Sequence, residues 1–333
     1  MRRASLEVTS PNDAKKDKRN GKAVYHDIDG YFVCTGFVDE FVRQALRYKP
    51  RPDDIFIVSY PKCGTTWMQH IVYNILNKRP PPKGFLEMST AMPFLEMQGA
   101  ESAEAMPRPG AIKTHMPFHL HPYSKEAKYI YITRNPYDCC VSFYYHTKSV
   151  PDYHFADGTF DEFVDMFLEG HVDFGDYFDH VLSWYARRFD ENVLFVTYED
   201  LKKDTVGWII RIADFIGEEY GREIRQNKSA LSRVINNTSV KHMQDSVNEG
   251  YRKQNEVMRS MPEDKKPRWM KIVEETSGEV KKNPIIGDFV RKGGVGDWRN
   301  HFNPDHVIRM KNRIAIKTVG SDVMSLWDNI GLP

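Results

Sequence analysis

IFIVSYPKCGTTWMQHIVYNIL, residues 55–76, carries the pattern around which the rest of the chain is arranged. Ile55, Phe56, Ile57 and Val58 make a short apolar, β-branched run of the length of a buried strand. Pro61 to Thr66 follows as a tight turn with Gly64 inside it. From Trp67 onward the apolar residues fall at 67, 68, 71, 72, 75 and 76, one face of a helix. A strand, a loop of small residues and a helix start together point free backbone N–H groups at an anion, and the helix dipole adds to them. Thr65 and Thr66 add hydroxyl donors, and Lys62 adds a mobile positive charge. The stretch reads as a phosphate cradle.

Outward from it, strand-like and helix-like segments alternate. Val24 to Phe32 forms an ordered entry, Phe37 to Tyr48 a helix, and Arg51 to Asp54 the turn into the first strand. Phe85 to Pro109, rich in Met, Pro, Gly and Glu, reads as an irregular region over a pocket. Tyr129 to Thr133 and Val193 to Thr197 read as two more buried strands, with an extended segment at 111–115. Helices are expected at Tyr137–His146, 160–169, 177–189, Val206–Ile216, Asp305–Ile316 and Asp322–Trp327. Between about 218 and 290 the polar chain suggests helical pieces with long loops. Strands alternating with helices imply an α/β fold: a central parallel sheet flanked by helices, here in one domain from 23 to 333. Residues 1–22, with seven Lys/Arg against three Asp/Glu and no apolar periodicity, read as a disordered polar tail.

Composition narrows the function class. Apolar residues at 41%, charged residues at 28% and a net charge of +1 suit a soluble protein and argue against a dedicated nucleic-acid binder. No run of 18 apolar residues offers a membrane anchor. Cysteines 34, 63, 139 and 140 have neither zinc nor disulfide spacing, which points to a reducing, cytoplasmic setting and no metal.

A phosphate loop alone leaves several enzyme classes open. The Walker pattern is absent, since Lys62 precedes Gly64 and sits at the strand end. The residues YPKCGTTW resemble the 5′-phosphosulfate loop of cytosolic sulfotransferases, usually YPKSGTTW, with Cys63 in place of serine. Further stretches match that family in order and together span about residues 50–300. Lys113-Thr114-His115 is similar to the segment holding the family's catalytic histidine. Arg134-Asn135-Pro136, with Asp138 and Ser142, resembles its 3′-phosphate site. Arg291 to Trp298, RKGGVGDW, resembles its C-terminal cofactor signature. Tyr198 lies in a YED segment that meets adenine in the family. Thr238 and Val240 stand where the family has T-S-F, so part of an aromatic sandwich is lost at 240.

The resemblance implies a donor, 3′-phosphoadenosine 5′-phosphosulfate (PAPS), held by Lys62, Cys63, Gly64, Thr65, Thr66, Trp67, Arg134, Ser142, Tyr198, Thr238, Val240, Phe289, Arg291, Lys292 and Gly293. It implies His115 as general base, with Lys62 and Lys113 stabilising charge during in-line transfer of the sulfuryl group. A histidine at its ordinary pKa of about 6.5 would be neutral and available at physiological pH. On the acceptor side, Phe94, Met97, His115 and His146 are implied. His146 replaces an aromatic ring common in phenol-sulfating members, which favours a polar or cationic phenol such as a catechol amine. An aliphatic alcohol or sterol acceptor, or a non-catalytic nucleotide-binding protein of the same fold, is the alternative. A nucleotide kinase would require Walker A and magnesium carboxylates. The family's dimer motif is altered at Arg299–Pro304 and at Ile308, which leaves the oligomeric state open.

Overall fold

A computed structural model of the chain describes residues 18–19, 22–82, 84–277, 280 and 283–333. Most of the expected polar tail lies outside these residues; Lys18–Arg19 (β1) and Lys22–Ala23 (β2) pair as a short antiparallel ribbon. In chain order there follow β3 (Tyr25–Ile28), β4 (Tyr31–Cys34), α1 (Asp39–Leu46), β5 (Ile55–Val58), α2 (Thr65–Leu76), α3 (Phe85–Ala91), α4 (Leu95–Glu104), β6 (Ile112–Thr114), β7 (Lys128–Thr133) and α5 (Pro136–Ser149). Then come α6 (Phe160–Glu169), α7 (Tyr177–Tyr185), β8 (Val193–Thr197), α8 (Tyr198–Lys203), α9 (Thr205–Ile216), α10 (Glu218–Gln226), α11 (Lys228–Asn237), α12 (Val240–Ser260), α13 (Arg268–Ser277) and α14 (Pro304–Lys317).

The central sheet runs β6-β5-β7-β8, and every pairing in it is parallel. Its side chains alternate between faces with the period of two of a strand. Phe56, Val58, Tyr129 and Tyr131 enter a mainly aromatic core with Tyr177 and Trp184. Ile55, Ile57, Ile130, Ile132 and Val196 enter an aliphatic core with residues of α2, α9 and α11. The YIYIT run of β7 therefore serves both faces at once, which is how a strand covered on both sides is built.

Register aligns the carboxyl ends of the four strands. Val58 sits opposite Thr114 and Tyr131, and Thr133 opposite Thr197. The next residues in the chain are Ser59, His115, Arg134 and Tyr198. One edge of the sheet thus collects four chain segments, the place where open α/β sheets bind ligands.

Two expectations need correction. Phe85–Pro109 is not an irregular loop but contains α3 and α4. The buried face of α4 includes Glu96, Gln98 and Gly99, so apolar periodicity is missing although the helix is packed. Likewise, 218–277 holds four helices with short connections in place of long loops. Polar side chains occupy part of the inner face of α12 too, where Asn248 and Asn255 are buried beside Met243 and Met258. Among the described residues no helix is long and apolar enough to cross a membrane.

Candidate active site

β5 delivers the chain into the cradle. Lys62 adopts a left-handed backbone (φ 66°) and Gly64 follows at φ 111° as the N-cap of α2. A Cβ on Gly64 would lie 2.9 Å from Ile132 Cδ1 and 3.0 Å from Tyr198 Cδ2, so only glycine lets the loop sit against β7 and the start of α8. Inside α2 the Met68 N–H bonds back to Gly64 O (3.0 Å). The N–H groups of Thr65, Thr66 and Trp67 at the helix start are left for an outside acceptor. A cavity of about 330 Å³ opens beside them.

Lys62 and Lys113 both face this cavity. The Lys62 ammonium lies 3.5 Å from the centre of the Phe289 ring, and that of Lys113 lies 4.0 Å from the Phe94 ring. Burial, with Lys113 and Arg134 nearby, lowers the Lys62 pKa to about 7. Burial lowers that of Lys113 to about 8, against the support of Glu96. Two desolvated ammonium groups at one end of a cavity favour a bound anion.

His115 follows β6 directly. Its Nδ1 lies 2.6 Å from Ser59 O, and because a carbonyl only accepts, Nδ1 carries the proton. Nε2 therefore keeps its lone pair. Burial first, then Lys113, hold the His115 pKa well below the ordinary histidine value. The ring stays neutral, as expected, but by burial and repulsion and not by an unperturbed pKa.

Arg134 follows β7, with its guanidinium 4.6 Å from the Tyr198 ring centre and Nη2 donating to Gly294 O (2.8 Å). The 291–298 loop is tied down by Asp138, whose carboxylate accepts from Gly296 N (2.7 Å) and Trp298 N (3.0 Å). Arg291 and Lys292 reach the cavity, yet both also bond Asp297, at 2.5 and 2.7 Å. Burial pushes the Asp297 carboxyl up, but hydrogen bonds from Lys292, Asn300 and Arg291 outweigh it and hold the group well below the usual carboxylate range. The charge of these two cations is thus shared with Asp297. Trp67 donates to Thr238 O (2.9 Å) and meets Tyr198 edge-on at 5.4 Å, so these two rings and Val240 form an apolar corner.

Every predicted site residue but one lines this single cavity, including Ser142, Phe289 and Gly293, and Phe94, Met97 and His146, the residues expected to meet the acceptor. Cys63 is the exception. Its side chain is fully buried with Sγ 3.7 Å from Cys139 Sγ, and its N–H goes to Tyr60 O (3.4 Å). Sequence reasoning missed Phe174, Asp152 and Asp173, which also line the cavity. The Phe174 ring lies 5.0 Å from that of His115. No local motif marks these three; a sharp turn at Phe174 (φ 67°) brings its segment in.

The residues fit a nucleotide bearing two anionic groups. Beyond the paired lysines and the glycine cradle, the Nε atoms of Arg134 and Arg291 are buried without an acceptor among the described residues. Comparison with known proteins agrees. Residues 52–322 match the sequence profile described as the sulfotransferase domain. Human sulfotransferase 1E1 is 32% identical over 288 residues, covering 84% of this chain and 87% of that protein. Rabbit (Oryctolagus cuniculus) sulfotransferase 1C2 is 31% identical over 289 residues, covering 83% and 86%. The crystal structure of mouse SULT7A1 complexed with PAP superposes with a TM-score of 0.67 at 28% identity, covering 93% of this chain and 100% of that one. A retinol dehydratase crystallised with androsterone and PAP shares the fold, with a TM-score of 0.68 at 24% identity, covering 89% of both chains. With the profile covering most of its length and the cradle, His115 and the 291–298 loop gathered on one sheet edge, this chain belongs to the cytosolic sulfotransferase family, enzymes that use PAPS as donor.

Proposed function

We propose that the enzyme sulfates a hydroxyl of a small phenol, with preference for a catechol amine, using His115 as general base, and that it does so in the cytoplasm. PAPS supplies the sulfuryl group. The observation that supports His115 is the hydrogen bond from its Nδ1 to Ser59 O. That bond fixes the tautomer and leaves Nε2 to take the acceptor's hydroxyl proton. The N–H groups at the start of α2, with Lys62 and Lys113, stabilise the charge that builds on the bridging and transferred oxygens during in-line displacement. Arg134, Ser142, Arg291, Lys292 and Gly293 hold the 3′-phosphate.

The acceptor preference is supported by two carboxyl groups in the same cavity. Asp152 and Asp173 are 6% and 1% exposed and both line it. Asp173 accepts from Cys34 N–H and the Tyr153 hydroxyl. Burial, with Asp152 adding to it, still raises its pKa to about 7. A protonated amine entering beside it would favour its ionised form. His146, held neutral by burial and by Lys62 and Lys113, adds a polar edge through Tyr251 OH (3.2 Å) without a competing charge.

The test is turnover of labelled PAPS against phenols, catechol amines, aliphatic alcohols and sterols, with wild type, His115→Ala and Asp173→Asn side by side. We expect product with phenols, highest for catechol amines, and a selective loss of the amine preference in Asp173→Asn. Transfer to sterols alone would refute the acceptor reading and keep the enzyme class. Undiminished turnover in His115→Ala would refute the base.

A further inference from the structure

β6 is the outer strand of the sheet, paired on one side with β5. The N–H groups on its other side need acceptors from elsewhere, since an unpaired buried donor is costly. The turn into α4 provides them. Lys113 N–H donates to Pro93 O at 2.8 Å. Two residues on, His115 N–H donates to Glu96 Oε1 at 2.6 Å. A side-chain carboxylate thus stands where the next strand's carbonyl would be, directly behind the catalytic segment.

The same oxygen accepts from Thr114 Oγ1 (2.9 Å) and from the Tyr31 hydroxyl (3.0 Å) of β4. Three donors from two elements converge on Oε1, while Oε2 is buried without a partner among the described residues. Glu96 is fully buried. Burial raises its carboxyl above the ordinary value, and the bonds from His115 N–H, Thr114 and Tyr31 offset part of that rise. An apolar residue would pack this spot without such a desolvation cost, so a carboxylate here calls for a purpose.

We propose that Glu96 is a positioning residue for sulfuryl transfer: it fixes the His115 backbone and the Thr114 side chain from behind and supplies the negative charge that keeps Lys113 an ammonium. The charged and titratable groups around Lys113 set the sign. The Lys113 charge disfavours the protonated forms of Lys62 of the loop after β5, of His115 of its own segment and of His146 of α5, and both histidines stay neutral. Glu96 of α4 is the neighbour that raises its pKa. Removing that charge lets Lys113 lose its proton at lower pH.

Glu96→Gln keeps an oxygen for the three donors and removes the charge; Glu96→Ala removes both. We expect Glu96→Gln to keep the fold and the PAPS KM within about threefold, and to move the alkaline limb of the kcat profile down by about one pH unit. Glu96→Ala should in addition lose about 100-fold in kcat at every pH, the scale of a small misplacement of reacting groups. Tyr31→Phe, which removes one donor and leaves the β6 edge intact, should stay within about threefold of wild type on that same scale. A purely structural Glu96 would lower the melting temperature of both Glu96 variants while leaving kcat per folded molecule and the pH profile unchanged, and that result would overturn the proposal.

Discussion

Cofactor binding should be linked to proton uptake, and Lys62 makes the linkage measurable. In the free enzyme its pKa is about 7, lowered by burial first and then by Lys113 and Arg134. A nucleotide phosphate in the cradle adds negative charge beside it and raises that pKa, so the bound form holds the proton. The sign follows: affinity falls as pH rises through 7. At pH 7.0 about half of the free enzyme carries the charge, and at pH 8.5 about 3% does, so PAP binding weakens about 15-fold, or about 1.6 kcal/mol. The second phosphate ionisation of the ligand, at a pKa of about 6, is nearly complete across this window and barely opposes the trend. Isothermal titration of PAP at pH 8, in two buffers of different ionisation enthalpy, should report uptake of about 0.9 proton per ligand from Lys62, with Lys113 adding at most about half a proton. Lys62→Arg replaces the group with one that does not titrate here and should cut the slope and the uptake to the smaller share that Lys113, with its pKa at about 8, contributes. A wild-type affinity constant within threefold from pH 7.0 to 8.5, or the same slope in Lys62→Arg, would refute the reasoning.

Three other outcomes follow from the site. His115→Ala should lose about 10²–10⁴-fold in kcat, or about 3–5.5 kcal/mol of barrier, with PAP affinity nearly unchanged; single-turnover rates and titration check both. Gly64→Ala forces a Cβ toward Ile132 and Tyr198 at φ 111° and should cost about 1–3 kcal/mol of stability as well as weaken PAP binding, read by denaturant melts and titration. Asp138→Ala leaves the N–H groups of Gly296 and Trp298 without their acceptor and should weaken PAP binding by about 10-fold or more, each such charged hydrogen bond being worth about 1.5–3 kcal/mol; unchanged affinity would show that the 291–298 loop holds its shape by itself.

The alternation of Tyr and Ile in 129–133 announced a strand buried on both faces, and the sheet uses each set in a separate core. α4 shows the opposite case. Its inner face carries Glu96 and Gln98, whose partners lie on β4, on β6 and the segment that follows it, and at Ser89 and Phe94, so no apolar stripe announced a helix. Cys63 occupies a position in the loop motif that implied a cofactor contact, and only the packing of Cys139 against it shows its side chain turned to the core.

What the sequence determined by itself is local: the strand, cradle and helix of 55–76, the order of the segments that line the cavity, and His115, Lys62 and Arg134 as members of that lining. Those signals depend on neighbours within a few residues, where backbone preference and side-chain period already restrict the chain. Tertiary structure decided the chemical state of these groups. Ser59, 56 residues from His115, sets its tautomer, and burial beside Lys113 and Arg134 moves Lys62 to about 7. Asp297 engages Arg291 and Lys292, and Asp152, Asp173 and Phe174 enter the cavity from segments with no motif of their own. Charge, tautomer and cavity shape depend on desolvation and on partners distant in the chain, and only the folded arrangement brings those together.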